Sequence, residues 1–160
     1  MSDRYLGKFE GVVVDNDDPS GLCRLDVRVS VLTHPTGWCL PALPYAGKGV
    51  GLALVPPIGA KVWIEWPGGD LRRPPIWSGA YWAPGDDGVA GAGPGTIRLV
   101  TPGGHAIEVS DDDGSITLTS SGGASITIGK DAITLDNGQG ATVELSGSSV
   151  ALNGQSFSVG

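Results

Sequence analysis

The sequence predicts an all-β protein of two parts, a small closed barrel followed by a ladder of short rungs. Three observations predict this class. The first half contains five short apolar stretches separated by turn residues, the second half contains eight apolar pairs at i, i+2 spacing, and no window shows helical periodicity. Residues i and i+2 of an extended strand point to the same face, so each pair predicts a rung with one apolar side.

Each of the five stretches in the first half predicts a strand. In the second stretch, Leu25, Val27, Val29 and Val31 alternate with polar and charged residues, as expected of an antiparallel strand with one buried face. Residues 38–44 are bounded by proline and are predicted to form a connection. Five strands in about 80 residues suit a small closed barrel of the OB type. The predicted strands are residues 5–15, 22–31, 47–55, 59–66 and 75–82.

The rungs after Gly95 are too narrow to bury their own apolar faces. Repeats of this kind need stacked neighbours to form a continuous core. A single-chain solenoid normally has coils of uniform length, whereas these rungs begin 10, 9, 10, 7, 10, 7 and 7 residues apart. The uneven spacing favours the other architecture, an intertwined trimeric β-helix (β-prism) in which each chain crosses one face per rung.

In such a prism the apolar pairs meet their symmetry mates on the threefold axis. Burying one such side chain contributes about 1.5–3 kcal/mol, so the pairs together outweigh the cost of association. A monomer would leave long apolar edges exposed. The predicted trimer core consists of Ile97, Leu99, Ile107, Val109, Ile116, Leu118, Ile126, Ile128, Ile133, Leu135, Val143, Leu145, Val150 and Leu152.

Composition divides the chain into a domain at 1–84, a Gly/Ala/Pro-rich linker at 85–95 and a second domain at 96–160. All five tryptophans precede residue 85, and eight basic residues there balance eight acidic ones. The remainder holds nine acidic residues against Arg98 and Lys130, so the net charge of −7 belongs to it. This balance argues against nucleic acid and anionic membrane surfaces as partners, because both need clustered basic residues.

Targeting and redox signals are weak in this sequence. The first four residues show no basic region followed by an apolar one, so we expect synthesis in the cytoplasm without a signal peptide. The longest apolar stretch, residues 50–58, is too short for a bilayer span. Cys23 and Cys39 are expected to be reduced, buried thiols.

We expect no catalytic, cofactor or metal site and therefore no enzymatic activity. The acidic run 15–18 lacks the distal glutamate of a calcium loop and is expected to be a turn, as is the run 111–113. His34 and His105 lack the ligand spacing of a zinc site. His105, Asp113 and a serine lack the nucleophile elbow that would support a triad.

The first half also carries an ordered set of motifs: a Pro-x-x-Gly turn at 56–59, a strand, Gly-Asp at 69–70, proline at 74 and Gly-x-Tyr at 79–81. This order resembles the N-terminal OB domain of phage baseplate spike proteins. The start of the ladder, 101–108 followed by 111–114, is similar to the start of the β-helix in the same family. The resemblance covers nearly the whole chain and also includes residues 5–13, 18–19, 23–29, 38, 43–47 and 73–82.

The resemblance implies a structural protein, the homotrimeric central spike of a phage tail baseplate or of an extracellular contractile injection system. The barrel would dock on a tube or hub protein, and the β-helix needle would contact the target membrane only during puncture. Some relatives end in an iron-binding His-x-His apex, whereas others carry a separate PAAR-type tip protein. Because residues 156–160 contain no histidine, a tip-protein contact is expected at Phe157, Ser158, Val159 and Gly160.

Two other functions remain open at this point. A β-helix enzyme acting on polysaccharide would need carboxylates and basic residues converging on one face, and the ladder has only two Lys or Arg. An OB-fold module that binds nucleic acid or carbohydrate would stack its tryptophans on bases or sugars. A salt-dependent shift with single-stranded DNA would favour that module.

Overall fold

The structure is a computed structural model that describes residues 4–157, without the side chains of residues 156 and 157. It is all-β, as expected, and divides into two compact units, one ending at Asp86 and the other beginning at Asp87. The strands are β1 Phe9–Asp15, β2 Leu25–Val29, β3 Trp38–Pro41, β4 Ala46–Gly47, β5 Val50–Gly51, β6 Lys61–Glu65, β7 Ile76–Tyr81, β8 Thr96–Val100, β9 Ala106–Ser110, β10 Ser115–Thr119, β11 Ser125–Ile128, β12 Ala132–Asp136, β13 Thr142–Ser146, β14 Ser149–Leu152 and β15 Gln155–Phe157.

Five strands close the first unit into a barrel in the order β1-β2-β3-β7-β6. The pairing of β3 with β7 is parallel, and the other barrel neighbours are antiparallel. The alternation correctly predicted the buried face of β2, because Leu25, Val27 and Val29 are fully buried. The prediction was wrong for Val31, which lies beyond the end of β2 and is exposed. The complete buried core is Val13, Leu25, Val27, Val29, Cys39, Val62, Ile64, Trp66 and Trp77.

The third barrel strand differs from the sequence prediction, which is wrong on this point. The strand is β3, which lies in the segment expected to be a connection. Residues 47–55 instead contribute to a hairpin of the two-residue strands β4 and β5, and Leu52 and Leu54 remain exposed. Apolar composition alone therefore did not identify the strand that completes the barrel.

Proline at position 41 is compatible with β3 because of the parallel register. Leu40 N and Ala42 N donate to the carbonyls of Pro75 and Trp77 at 2.8 and 2.9 Å. In a parallel pair alternate residues bond to the same neighbour, so the nitrogen of Pro41 is not needed for bonding to β7. The missing N–H of Pro41 thus costs the barrel no hydrogen bond to β7.

The turn that follows β1 is held together by the carboxylate of Asp18, whose side chain is 3% exposed. It accepts hydrogen bonds from the backbone N–H groups of Ser20, Leu22 and Arg24 at 2.9, 2.9 and 3.1 Å. Nε and Nη2 of Arg24 also donate to it, at 3.0 and 2.6 Å. The bond from Arg24, aided by these backbone bonds, holds the pKa of Asp18 well below its ordinary value. The acidic run is therefore a turn, as predicted.

We expect Asp18→Asn to lower the melting temperature of the barrel near pH 7. A carboxylate whose pKa is lowered on folding stabilises the protein above its unfolded pKa, and this contribution is lost as the pH falls towards the folded value. The difference between variant and wild type should therefore shrink as the pH is lowered below the ordinary aspartate pKa of about 3.9. Tryptophan fluorescence melts at several pH values measure this, with the exposed Asp17→Asn as control. Equal melting temperatures of Asp18→Asn and wild type near pH 7 would contradict the account.

The second unit is one eight-stranded antiparallel sheet in which β8 to β15 follow in chain order. Each strand pairs with the next one, so successive rungs are joined by hairpins of the same chain. The step from one rung to the next is thus a hairpin where a crossing between prism faces was expected, because connections of two to five residues suit antiparallel neighbours. A sheet of this kind is consistent with a β-prism.

Candidate functional site

The apolar pairs form two straight rows across one face of the second sheet. The register places Ile116 opposite Val109 and Ile128, and Leu118 opposite Ile107 and Ile126. The same alignment continues from β8 to β14. In the last pair of strands only the first row continues, because Val150 lies opposite Phe157 whereas Leu152 lies opposite Gln155. All fourteen predicted core residues therefore share one face. The first row is Ile97, Val109, Ile116, Ile128, Ile133, Leu145 and Val150, and the second is Leu99, Ile107, Leu118, Ile126, Leu135, Val143 and Leu152.

This face is uncovered in the single chain. Ile97 is 73% exposed and Ile128 is 47% exposed, whereas no apolar core residue of the barrel exceeds 5%. Contiguous apolar surface of this extent marks an interaction site on a folded protein. The two-row face is thus the candidate functional site of the second unit.

The opposite face of the same sheet is polar. Thr127 lies opposite Thr117 on one side and Thr134 on the other, which places three threonines in line across three strands. Nearer the start of the sheet, Arg98 Nε lies 2.9 Å from Glu108 Oε2 across β8 and β9. Cross-strand pairs of this type stabilise a face that is in contact with water. The sheet therefore has one face suited to burial and one suited to solvent.

The two edges of the sheet are built differently. One edge, here called the loop edge, carries five-residue loops at 101–105, 120–124 and 137–141, and a two-residue turn at 153–154. The other, the turn edge, carries shorter connections at 111–114, 129–131 and 147–148. Every step of 10 residues in the ladder crosses a five-residue loop, so this asymmetry accounts for the uneven spacing of the rungs.

The three long loops share one hydrogen-bonding pattern, which the sequence analysis missed. The N–H of the first residue (Thr101, Ser120 or Asn137) donates to the carbonyl of the fifth at 2.9, 2.8 and 3.1 Å. The side-chain oxygen of the first residue accepts from the N–H of the fifth at 3.1, 3.1 and 2.9 Å. The fourth residue is a glycine with positive φ in each loop. The sequence signal is Thr, Ser or Asn followed three residues later by Gly104, Gly123 or Gly140.

Neighbouring loops on the loop edge also contact each other. The N–H of Ser121 donates to Nδ1 of His105 at 3.2 Å, which joins the first loop to the second. A Cβ placed on Gly138 would lie 2.7 Å from the carbonyl carbon of Gly123, so the second and third loops are packed backbone against backbone. The loop edge is therefore a continuous structure.

We expect Gly138→Ala to destabilise the second unit more than Gly140→Ala. Both glycines have positive φ, +71° and +97°, which costs an alanine about 1–2 kcal/mol. A Cβ on Gly140 meets no atom within 4 Å, whereas one on Gly138 collides with the backbone of Gly123. Thermal denaturation followed by circular dichroism compares the two variants. Equal losses of stability would show that the loops are not in close contact.

The structure places the other candidate residues apart from each other. Asp113 accepts a hydrogen bond from the hydroxyl of Ser110 at 2.8 Å, and His105 lies on the opposite edge of the sheet. Within residues 4–157 no three His, Cys, Asp or Glu side chains are grouped so that they could bind a metal ion. Both cysteines are free; Cys39 is buried, which raises the pKa of its thiol to about 11, and Cys23 is only partly buried.

The predicted tip contact lies at the end of the sheet. The backbone of Phe157 belongs to β15 and is paired with Val150, whereas Ser158, Val159 and Gly160 lie outside the described residues.

In the part of the chain that the structure describes, no helix is long and apolar enough to cross a bilayer.

Comparison with known families gives a match for each unit. Residues 9–82 match the type VI secretion system/phage-baseplate injector OB domain, and residues 96–158 match the phage baseplate V C-terminal trimerisation domain. No curated protein matches the chain significantly. The first match contains the whole closed barrel and the second contains the whole eight-stranded sheet. The chain therefore belongs to the phage baseplate spike family.

Proposed function

We propose that this protein is the central spike of a contractile injection particle, in which a homotrimer caps the tube and pierces the target envelope. Its family is one of structural baseplate spikes, and its second unit is a trimerisation domain. The observation that carries the proposal is the uncovered two-row apolar face. Three such faces turned towards a common axis would bury both rows and leave the polar faces in water.

The same arrangement would give the needle its stiffness. Each interior strand of the sheet is hydrogen-bonded to a neighbour on both sides, so a lateral force has no unpaired rung at which to begin opening. The apolar rows run perpendicular to the strands and hence along the needle. Burying them between three chains would add about 1.5–3 kcal/mol per fully buried side chain. The protein would thus act mechanically, as a structural component of the particle.

The barrel is proposed to dock on a tube or hub protein of the baseplate. Support comes from exposed apolar side chains in and after the β4–β5 hairpin, since Val50, Leu54 and Ile58 are 54%, 52% and 64% exposed. Exposed apolar side chains grouped in one segment are typical of a protein interaction surface. In the second unit, β15 is the last strand of the sheet in the described part of the chain. We propose that its outer backbone edge seats a PAAR-type tip protein, with Phe157, Ser158, Val159 and Gly160 as the contact residues.

Electron microscopy of particles from producing cells with and without this protein tests the proposal. We expect the deletion to remove density at the tube end and to abolish killing or injection, and the wild-type protein supplied in trans to restore both. Particles that keep their tip density and their activity without the protein would contradict the proposed role. Immunolabelling of the barrel should mark the tube end.

A further inference from the structure

We infer that neighbouring copies in the trimer meet in a head-to-tail seam, where the turn edge of one copy enters a groove along the loop edge of the next. At this seam Lys130 of one copy faces Asp136 of its neighbour. The inference rests on the proposed trimer and specifies which of its surfaces meet.

Symmetry requires unlike edges to meet in a closed ring of three. A threefold rotation carries each sheet onto the next without reversing it, so the loop edge of one copy always adjoins the turn edge of its neighbour. An isologous contact, in which like edges meet, would close a pair instead.

A groove on the second sheet fits this arrangement. It follows the loop edge, with the apolar row Ile107, Leu118, Ile126 and Leu135 along it and loop residues such as Ala141 beside it. Apolar atoms contribute most of its exposed lining, which suits a protein segment better than a charged ligand. The segment that symmetry delivers to this groove is the turn edge of the next copy, together with the first apolar row.

Two properties select one pair of residues at the seam: opposite charge, and similar height, which is the position along the threefold axis. Lys130 is exposed in the connection between β11 and β12, on the turn edge, and Asp136 ends β12 on the loop edge. The two positions differ in height by half a strand spacing, about 2.4 Å. A threefold axis parallel to the rows preserves height along that axis, so Lys130 comes within about 2.4 Å of the height of Asp136 in the next copy.

Both side chains have capacity for this contact. Within the described residues Lys130 forms no ion pair, whereas the other basic residue of the sheet, Arg98, is already paired with Glu108. The Oδ1 atom of Asp136 accepts from the N–H of Gly138 at 2.7 Å. The Oδ2 atom of Asp136 accepts no hydrogen bond within the described part of the chain. The ammonium group of Lys130 from the next copy would donate a hydrogen bond to it.

Zero-length coupling of the intact protein with a carbodiimide tests the seam. The reagent joins an amine to a carboxylate in direct contact, as an amide formed with loss of water. We expect covalent trimers on a denaturing gel and, by mass spectrometry, a peptide joining Lys130 to Asp136. The matched control is Lys130→Arg, which keeps the positive charge but cannot be coupled, so this peptide and the covalent trimers that depend on it should disappear.

Light scattering before coupling distinguishes a failure of the proposed spike from a failure of the proposed seam. A monomeric mass would overturn the proposed spike itself. A trimeric mass with Lys130 coupled to an acid of another turn edge, such as Asp131, would leave the spike standing and overturn the seam. A trimeric mass with no coupling at Lys130 would overturn it equally.

Discussion

Ile126→Asp is expected to prevent assembly of the trimer. Ile126 lies in the middle of the second apolar row, opposite Leu118 and Leu135. In the proposed prism its three copies approach the axis, so the variant would place three carboxylates there without partners. Each uncompensated buried charge costs on the order of several kcal/mol. Size-exclusion chromatography with light scattering should find monomer or aggregate in place of trimer.

The adjacent residue provides the control for this experiment. Thr127→Asp introduces the same charge on the same strand but on the polar face, where it lies opposite Thr117 and Thr134. It should leave the trimer intact, with a loss of stability below about 1 kcal/mol. A soluble, folded trimer of Ile126→Asp would show that the two faces of the sheet are assigned the wrong way round.

Leu25→Ala should lower the free energy of unfolding of the barrel by about 2–5 kcal/mol. The side chain is fully buried in β2, so its removal leaves a cavity in the core. All five tryptophans lie in this unit, and Trp66 and Trp77 are buried in the same core. Denaturant unfolding followed by tryptophan fluorescence therefore reports the barrel without interference from the sheet.

Leu22→Ala is the matched control, because Leu22 precedes β2 and is 58% exposed. Its effect should stay within about 0.5 kcal/mol. Light scattering should find both variants trimeric, since the trimerisation domain matches residues 96–158. Equal losses of barrel stability from the two variants would contradict the assignment of the core.

Features that depend on local alternation could be predicted from the sequence. The buried face of β2 and the shared face of all fourteen apolar residues follow from period-two spacing, which the backbone geometry of a strand imposes. The partner that covers this shared face could not be derived from one chain. It depends on copies of the molecule, and the match to a trimerisation domain supplied that information.

Features that depend on long-range pairing were harder to predict. The barrel is completed by β3, whose partners β2 and β7 lie at different distances along the chain. Proline and short length argue against a strand there, and only the parallel register shows why Pro41 is tolerated. The segment 47–55 looked more like a strand because it is apolar, yet its side chains are exposed.

The loop edge has a feature that the sequence did not predict for a third reason. The spacing of the rungs shows that the connections differ in length, but it does not reveal the hydrogen-bonding pattern that the long loops share. The pattern uses Thr101, Ser120 and Asn137, three residue types that share only a side-chain oxygen able to accept an N–H. The sequence letters differ while the chemistry is the same, so the repeat becomes visible through the contacts.

In the proposed prism the apolar face of the sheet is buried between three copies of this chain. Light scattering of the purified wild-type protein in mild buffer, across a dilution series, measures whether the copies associate. We expect a mass of three times 16.3 kDa that does not change on dilution. A folded species with the mass of a single chain, stable in solution with both apolar rows in water, would contradict it.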